Sequence, residues 1–255
     1  MVDLQGNCHR MAVLAQAAYL NKTDGVKKFK SLGYSTARLI DIDGAQVYIL
    51  SNKDEMVFAF RGTEPTQMSD LAADLNAIPD RGKVGGFVHN GFQTEVDKVW
   101  KKLQLALKKK PEDKPLFITG HSLGAAMATI VASRMSKQVT CLYTYGSPRV
   151  GSKKFVRKIN CNHYRHVNNN DAVASVPFAL LGYRHHTKAR YINHYGNIRP
   201  ITKWQRFKDQ LRGRWAAIKN FQFFDGFRDH SMVHYVRCTE CKSDNNCGGD
   251  CQCGK

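Results

Sequence analysis

The 255-residue chain is short of negative charge. Thirty-nine Lys and Arg stand against 21 Asp and Glu, for a formal net charge of +18 at pH 7. That balance favours anionic partners, whether nucleic acid, acidic lipid headgroups or acidic polymers, and says nothing about fold. Long apolar runs are also missing. None approaches the roughly 18 residues that cross a bilayer, so no transmembrane helix is expected. A secretory leader is not legible either: Asp3 lies near the start and Gln16 interrupts the apolar stretch 11–20. That stretch reads instead as an N-terminal helix packed on the core. A cytoplasmic location and export by a route without such a leader both stay open. No internal repeat and no Pro/Ser-rich linker divides the chain, and its length suits one large domain.

What is present fits a globular body: 42% hydrophobic residues and 10% aromatics, enough to bury a sizeable core. The eight cysteines are uneven. Cys8, Cys141 and Cys161 are scattered, whereas Cys238, Cys241, Cys247, Cys251 and Cys253 crowd the last 18 residues. The division expected is therefore a body over residues 1–237 and a cysteine-rich tail over 238–255. The tail spacing suits a thiolate-bound metal such as Zn²⁺, but it lacks the gap of a zinc ribbon, and five ligands is one too many. Disulfides or a flexible thiol-rich tail are the alternatives.

Helix and strand patterns alternate along the body. Residues 7–20 and 92–109 read as helices, the second from Phe92, Val96, Val99, Trp100, Leu103 and Leu107 at helical spacing. Residues 36–41 and 45–50 read as a hairpin around Asp41-Ile42-Asp43-Gly44. Further strands are expected over 56–60, 116–119, 139–145 and 164–167, and a helix of small residues over 123–136. This alternation implies an α/β fold with a largely parallel sheet covered by helices.

The sharpest motif is Gly120-His121-Ser122-Leu123-Gly124, which follows an apolar strand and opens the small-residue helix. A nucleophile elbow needs that context. The turn is tight, so the side chains around Ser122 must be small, and the helix N-terminus beneath it favours developing negative charge. A serine nucleophile needs a histidine base and a carboxylate to orient it. With the chain order serine, acid, histidine, Asp171 is the best acid, just after a strand. Asp209, Asp225 and Asp229 are the alternatives. His230 is the best base, in Asp229-His230-Ser231-Met232. His234 is its nearest rival, and His185, His186 and His194 lie in polar stretches.

Taken in order, the motifs resemble those of the class 3 lipases, the fungal triacylglycerol lipases and their bacterial relatives. The resemblance spans residues 8–236 and rests on Phe60–Thr63, Val88–Phe92, Gly120–Gly124, Tyr143–Gly151, Asn170-Asp171 with Pro177 behind it, and Asp229–Met232. It implies an α/β-hydrolase fold with the triad Ser122, Asp171 and His230 and no cofactor for catalysis. It further implies an oxyanion hole from the backbone N–H groups of Thr63 and Leu123, and a structural His89.

Residues 64–86 correspond to the family's lid, with Met68, Leu71 and Leu75 on one helical face. Many relatives carry a tryptophan there. This segment has no aromatic residue before Phe87 and holds Asp70 and Asp74, which weakens the case for strong interfacial activation. Residues 201–223 read as a basic amphipathic helix with Trp204, Phe207 and Trp215, either a membrane contact or a helix docked on the core.

The expectation is a serine hydrolase of lipid carboxylic esters, a triacylglycerol lipase or esterase. Its partners would be a lipid or ester substrate and an anionic membrane surface, with nucleic acid disfavoured and the oligomeric state unread. The alternatives are phospholipase A-type activity and a non-catalytic basic binding module.

Overall fold

The computed structural model describes residues 7–63, 78–193, 195–199 and 230–240. In chain order the strands are β1 (Thr36–Ile42), β2 (Ala45–Ser51), β3 (Met56–Phe60), β4 (Pro79–Arg81), β5 (Phe87–His89), β6 (Leu116–His121), β7 (Cys141–Tyr145), β8 (Gly151–Ser152), β9 (Asn162–Asn168), β10 (Tyr183–Arg184), β11 (Ala189–Ile192) and β12 (Ile198–Arg199). The helices are α1 (Asn7–Ala17), α2 (Lys22–Ser31), α3 (Asn90–Lys108), α4 (Leu123–Arg134), α5 (Lys153–Val156) and α6 (Met232–Thr239).

An eight-stranded sheet runs β1-β2-β3-β6-β7-β9-β11-β12, and a small sheet runs β10-β8-β5-β4. In the large sheet β3, β6, β7, β9 and β11 are parallel neighbours, with antiparallel pairs at both edges. The expected hairpin is there. Asp43 and Gly44 both take positive φ, 49° and 82°, the conformation that a two-residue hairpin turn of type I′ demands.

The central strands are buried along their whole length because helices cover both faces. Alternation along β3 sorts its side chains. Met56, Phe58 and Phe60 join one core layer with Val96, Val99 and Leu103 of α3 and Ile130 of α4. Val57 and Ala59 join the other with Met11 and Leu14 of α1 and Tyr235 of α6. Each such large apolar side chain contributes about 1.5–3 kcal/mol on burial. The small residues of α4 let it lie against the sheet: a Cβ on Gly124 would meet the Phe60 carbonyl oxygen at 2.6 Å.

Two expectations change. First, α2 is not legible in the sequence, because its run of lysines hides a short amphipathic pattern. Asn21 caps it by accepting from the Asp24 N–H at 3.0 Å, and Phe29 is its buried anchor. Second, the break expected at Cys238 does not fall there. α6 continues to Thr239, Cys238 is buried among the apolar residues packed around α1, and the Thr239 hydroxyl donates to the Tyr235 carbonyl at 2.8 Å. Packing against the N-terminal helix, rather than cysteine composition, sets the surroundings of Cys238.

Zinc finds no support. Among the described residues no group of three His, Cys, Asp or Glu is placed to hold a metal. Cys241, Cys247, Cys251 and Cys253 lie outside those residues.

Candidate active site

β6 ends at His121, and the chain reverses into α4 through Ser122. The serine takes φ 56° and ψ −127°, a region that costs a residue with a side chain on the order of 1–3 kcal/mol. Its surroundings hold it there. The Ser122 N–H donates to the Tyr145 carbonyl at 3.1 Å, and its own carbonyl accepts from Ala125 and Ala126 at 3.0 and 3.2 Å. Gly120 and Gly124 flank it because the strand and helix meet so closely. A Cβ on Gly120 would lie 2.5 Å from the Gly124 carbonyl oxygen. Ser122 itself is buried.

Asp171 follows β9 across a short turn. Its Oδ1 accepts from the N–H groups of Val173 at 3.0 Å and Ala174 at 3.3 Å. Its Oδ2 accepts from the Tyr235 hydroxyl at 2.5 Å. His230, just ahead of α6, brings Nδ1 to 2.9 Å from Oδ1 and 2.8 Å from Oδ2. A carboxylate only accepts, so Nδ1 carries the hydrogen and Nε2 keeps a lone pair. That Nε2 is buried and meets no hydrogen-bond partner among the described residues.

His121 supports this pair from below. Its Nε2 lies 2.7 Å from the His230 carbonyl oxygen and its Nδ1 lies 2.7 Å from the Tyr19 hydroxyl. The carbonyl can only accept, so Nε2–H donates to it, and Nδ1 accepts from Tyr19. Burial first, and then the neighbouring His230, hold the His121 pKa well below the usual imidazole value, which keeps the ring neutral as this tautomer requires. Gly146 completes the fit. It has φ 58°, and a Cβ there would sit 2.7 Å from both Asp171 Oδ2 and His230 Nδ1.

Thr63 and Leu123 are half-buried and line one cavity of about 270 Å³, together with Gln46, Arg61, Gly62 and Met127. His89 is buried and stacks on Phe92 with ring centroids 4.1 Å apart.

The structure thus brings together Ser122's elbow, Asp171 and His230. It does not bring His185 or His186 to the acid: His185 Nε2 donates to the Ala174 carbonyl at 3.0 Å, and His186 faces His163, Nδ1 to Nδ1, at 3.2 Å. His234 lies further along α6. Asp209, Asp225, Asp229 and His194 lie outside the described residues, as do Met68, Leu71 and Leu75 of the expected lid and Trp204, Phe207 and Trp215 of the basic segment. Sequence reasoning missed Tyr235 and Tyr19. The only signal for Tyr235 was a tyrosine five residues beyond His230, in the apolar helix that follows it.

Residues 57–181 match the family described as Lipase (class 3). The chain is 33% identical over 149 residues to the toxin TseL of Vibrio cholerae, covering 55% of this chain and 22% of that protein. It is 38% identical over 106 residues to secreted mono- and diacylglycerol lipase 1 of Fusarium solani, covering 38% of this chain and 32% of that one. It thus spans less than two thirds of the length of these curated relatives. Among solved structures, the triacylglyceride lipase of Rhizomucor miehei superposes with a TM-score of 0.60 at 23% identity, over 72% of this chain and 78% of that one. At that identity the likeness concerns the fold.

Proposed function

Because residues 57–181 match the class 3 lipase family and the chain has the α/β-hydrolase fold, we propose that it hydrolyses carboxylic esters of lipids through Ser122, His230 and Asp171. The observation that carries this reading is the His230 geometry: Nδ1 held on the Asp171 carboxylate, which leaves the Nε2 lone pair buried. His230 Nε2 takes the Ser122 hydroxyl proton as the serine oxygen attacks the ester carbonyl. Asp171 fixes the tautomer and stabilises the imidazolium that forms. The backbone N–H groups of Thr63 and Leu123 hold the tetrahedral oxyanion. Loss of one such donor costs about 3 kcal/mol of barrier.

His230 then passes the proton to the leaving alcohol, an acyl-Ser122 ester remains, and water enters through the same base to release the fatty acid. Each step uses side chains and backbone, so no cofactor is required.

The substrate class is an acylglycerol. Mono- and diacylglycerol lipases among the relatives support it. The net charge of +18 favours a second reading, phospholipase A-type cleavage on anionic membranes. Fluorophosphonate labelling and hydrolysis of p-nitrophenyl butyrate test the reaction. Both are expected in the wild type and absent in Ser122→Ala with the fold retained. A wild type that neither labels nor hydrolyses would sink the reading. A panel of acylglycerols and phospholipids then separates the two substrate classes.

A further inference from the structure

Seven residues after Asp171 the chain exposes three large apolar side chains in one turn. Phe178, which caps the 3₁₀ turn Ala179–Leu181, is 64% exposed, and Leu180 and Leu181 within the turn are 100% and 56% exposed. Single exposed leucines are ordinary, but three apolar side chains within four residues make a contiguous patch.

The turn is braced. The Leu181 N–H donates to the Phe178 carbonyl and the Gly182 N–H to the Ala179 carbonyl, both at 3.0 Å. Arg184 Nη1 donates to the same Ala179 carbonyl at 2.6 Å and to that of Tyr183 at 2.8 Å. On the entering side the Arg149 N–H donates to the Val176 carbonyl at 2.7 Å, and Nη1 donates to the carbonyls of Pro177, at 3.0 Å, and Ser175. The start of this stretch holds Asp171 Oδ1. The patch is therefore presented at a set position relative to the acid.

Among the described residues, the elements that adjoin it carry exposed cations. β10, which ends at exposed Arg184, pairs with β8, and α5 leaves β8 with Lys153 and Lys154 exposed, followed by exposed Arg157 and Lys158. From Lys114 to Lys208 the sequence holds 16 Lys and Arg and a single acid, the buried Asp171.

We propose that Phe178, Leu180 and Leu181, with Arg184, Lys153 and Lys154 on the adjoining elements, form the surface that docks the protein on an anionic lipid membrane. The apolar side chains enter the headgroup–acyl boundary and the cations meet lipid phosphates. Nucleic acid would satisfy the cations but offers nothing apolar to Leu180. The proposal rests on the lipid-ester reading, since docking brings the site to its substrate.

The test uses the full chain carrying Ser122→Ala, sedimented with vesicles of phosphatidylcholine alone or equimolar with phosphatidylglycerol. Binding to the anionic vesicles alone, weakened by salt, is expected. Adding Leu180→Glu with Leu181→Ser lowers that binding by at least about tenfold, and Lys153→Glu with Lys154→Glu lowers it similarly. In the otherwise wild-type chain, both pairs leave p-nitrophenyl butyrate hydrolysis unchanged, which shows that fold and site survive. Equal binding to the two vesicle types, vesicle binding indifferent to the leucine pair, or displacement from vesicles by a duplex oligonucleotide would overturn the surface. A wild type without soluble-ester hydrolysis would instead strike the reaction and leave the vesicle result standing.

Discussion

Tyr235 donates its hydroxyl hydrogen to Asp171 Oδ2 at 2.5 Å while accepting the Asn168 N–H at 2.9 Å. One phenol thereby joins the end of β9, the acid after it and the helix that follows His230. Tyr235→Phe removes the donor to a buried carboxylate and leaves a buried N–H without its acceptor. Stability should fall by about 1–3 kcal/mol, as expected for a buried polar group left unpaired. The turnover number for a soluble ester should fall by about tenfold with KM little changed, because Tyr235 positions Asp171 and is not placed to touch substrate. Steady-state kinetics and urea denaturation measure both. An unchanged kcat would show that the two backbone N–H groups on Oδ1 suffice.

Gly146 tests the same assembly from the other side. A Cβ there would sit 2.7 Å from Asp171 Oδ2 and from His230 Nδ1, and φ 58° strains any side chain. Gly146→Ala should push the acid–histidine pair away from the serine and lower kcat/KM by about 100-fold, the scale of a misplacement near 1 Å. Circular dichroism should still report a folded protein. Near wild-type activity would mean that the pair tolerates displacement.

The elbow is legible in the sequence because close approach dictates residue type. Gly120 and Gly124 have no room for a Cβ, so the small residues around Ser122 announce the turn by their identity alone. Asp43-Gly44 announces its hairpin for a similar local reason. The small sheet is hidden, since strands of two or three residues carry no readable alternation. The packing of Cys238 is hidden too. Cys238 is buried and α6 is held because residues near the N-terminus lie against them, with His9 Nδ1 donating to the Val236 carbonyl at 3.2 Å. A pairing across more than 200 positions leaves no local trace. Tyr235 escapes notice for the same reason, its bond to Asp171 spanning 64 residues.

That packing predicts the effect of truncation. Ending the chain at Arg237 removes the buried Cys238 and the Thr239 hydroxyl with its bond to the Tyr235 carbonyl. The variant should lose about 2–3 kcal/mol of stability from lost burial and a lost hydrogen bond. A chain ending at Glu240 keeps these groups. Melting temperatures of the two truncations compare them directly, and equal values would return Cys238 to the tail.

Arg10 of α1 forks onto the Glu55 carboxylate at the start of β3, with Nη2 2.8 Å from Oε2 and Nη1 on Oε1, while the Tyr34 hydroxyl donates to Oε1 at 2.5 Å. Glu55 is only 6% exposed. Arg10→Met should cost about 3 kcal/mol, because it strands a buried carboxylate. Adding Glu55→Gln removes that charge and should recover part of the loss, a coupling that a double-mutant cycle by urea denaturation reads. Strictly additive losses would show that the fork contributes nothing of its own.

Acid should loosen the fold through its buried histidines. Burial first, then Arg190, pushes the His166 pKa from 6.5 down to about 3, and burial likewise holds His121 well below its usual value. In the unfolded chain both regain a pKa near 6.5, so below that pH the unfolded state binds protons that the folded state refuses. Stability therefore falls as pH drops below about 6.5, and for His166 continues to fall toward its folded value. Each histidine costs about 1.4 kcal/mol by one unit below its unfolded pKa. His166 is buried and stacks on Tyr145 at 4.9 Å and 12°. His166→Phe thus keeps the stack and removes one titration. Urea denaturation at about pH 7.5 and about pH 5.5 should show a wild-type loss that shrinks by about 1.4 kcal/mol in His166→Phe. An unchanged difference would place the acid sensitivity elsewhere.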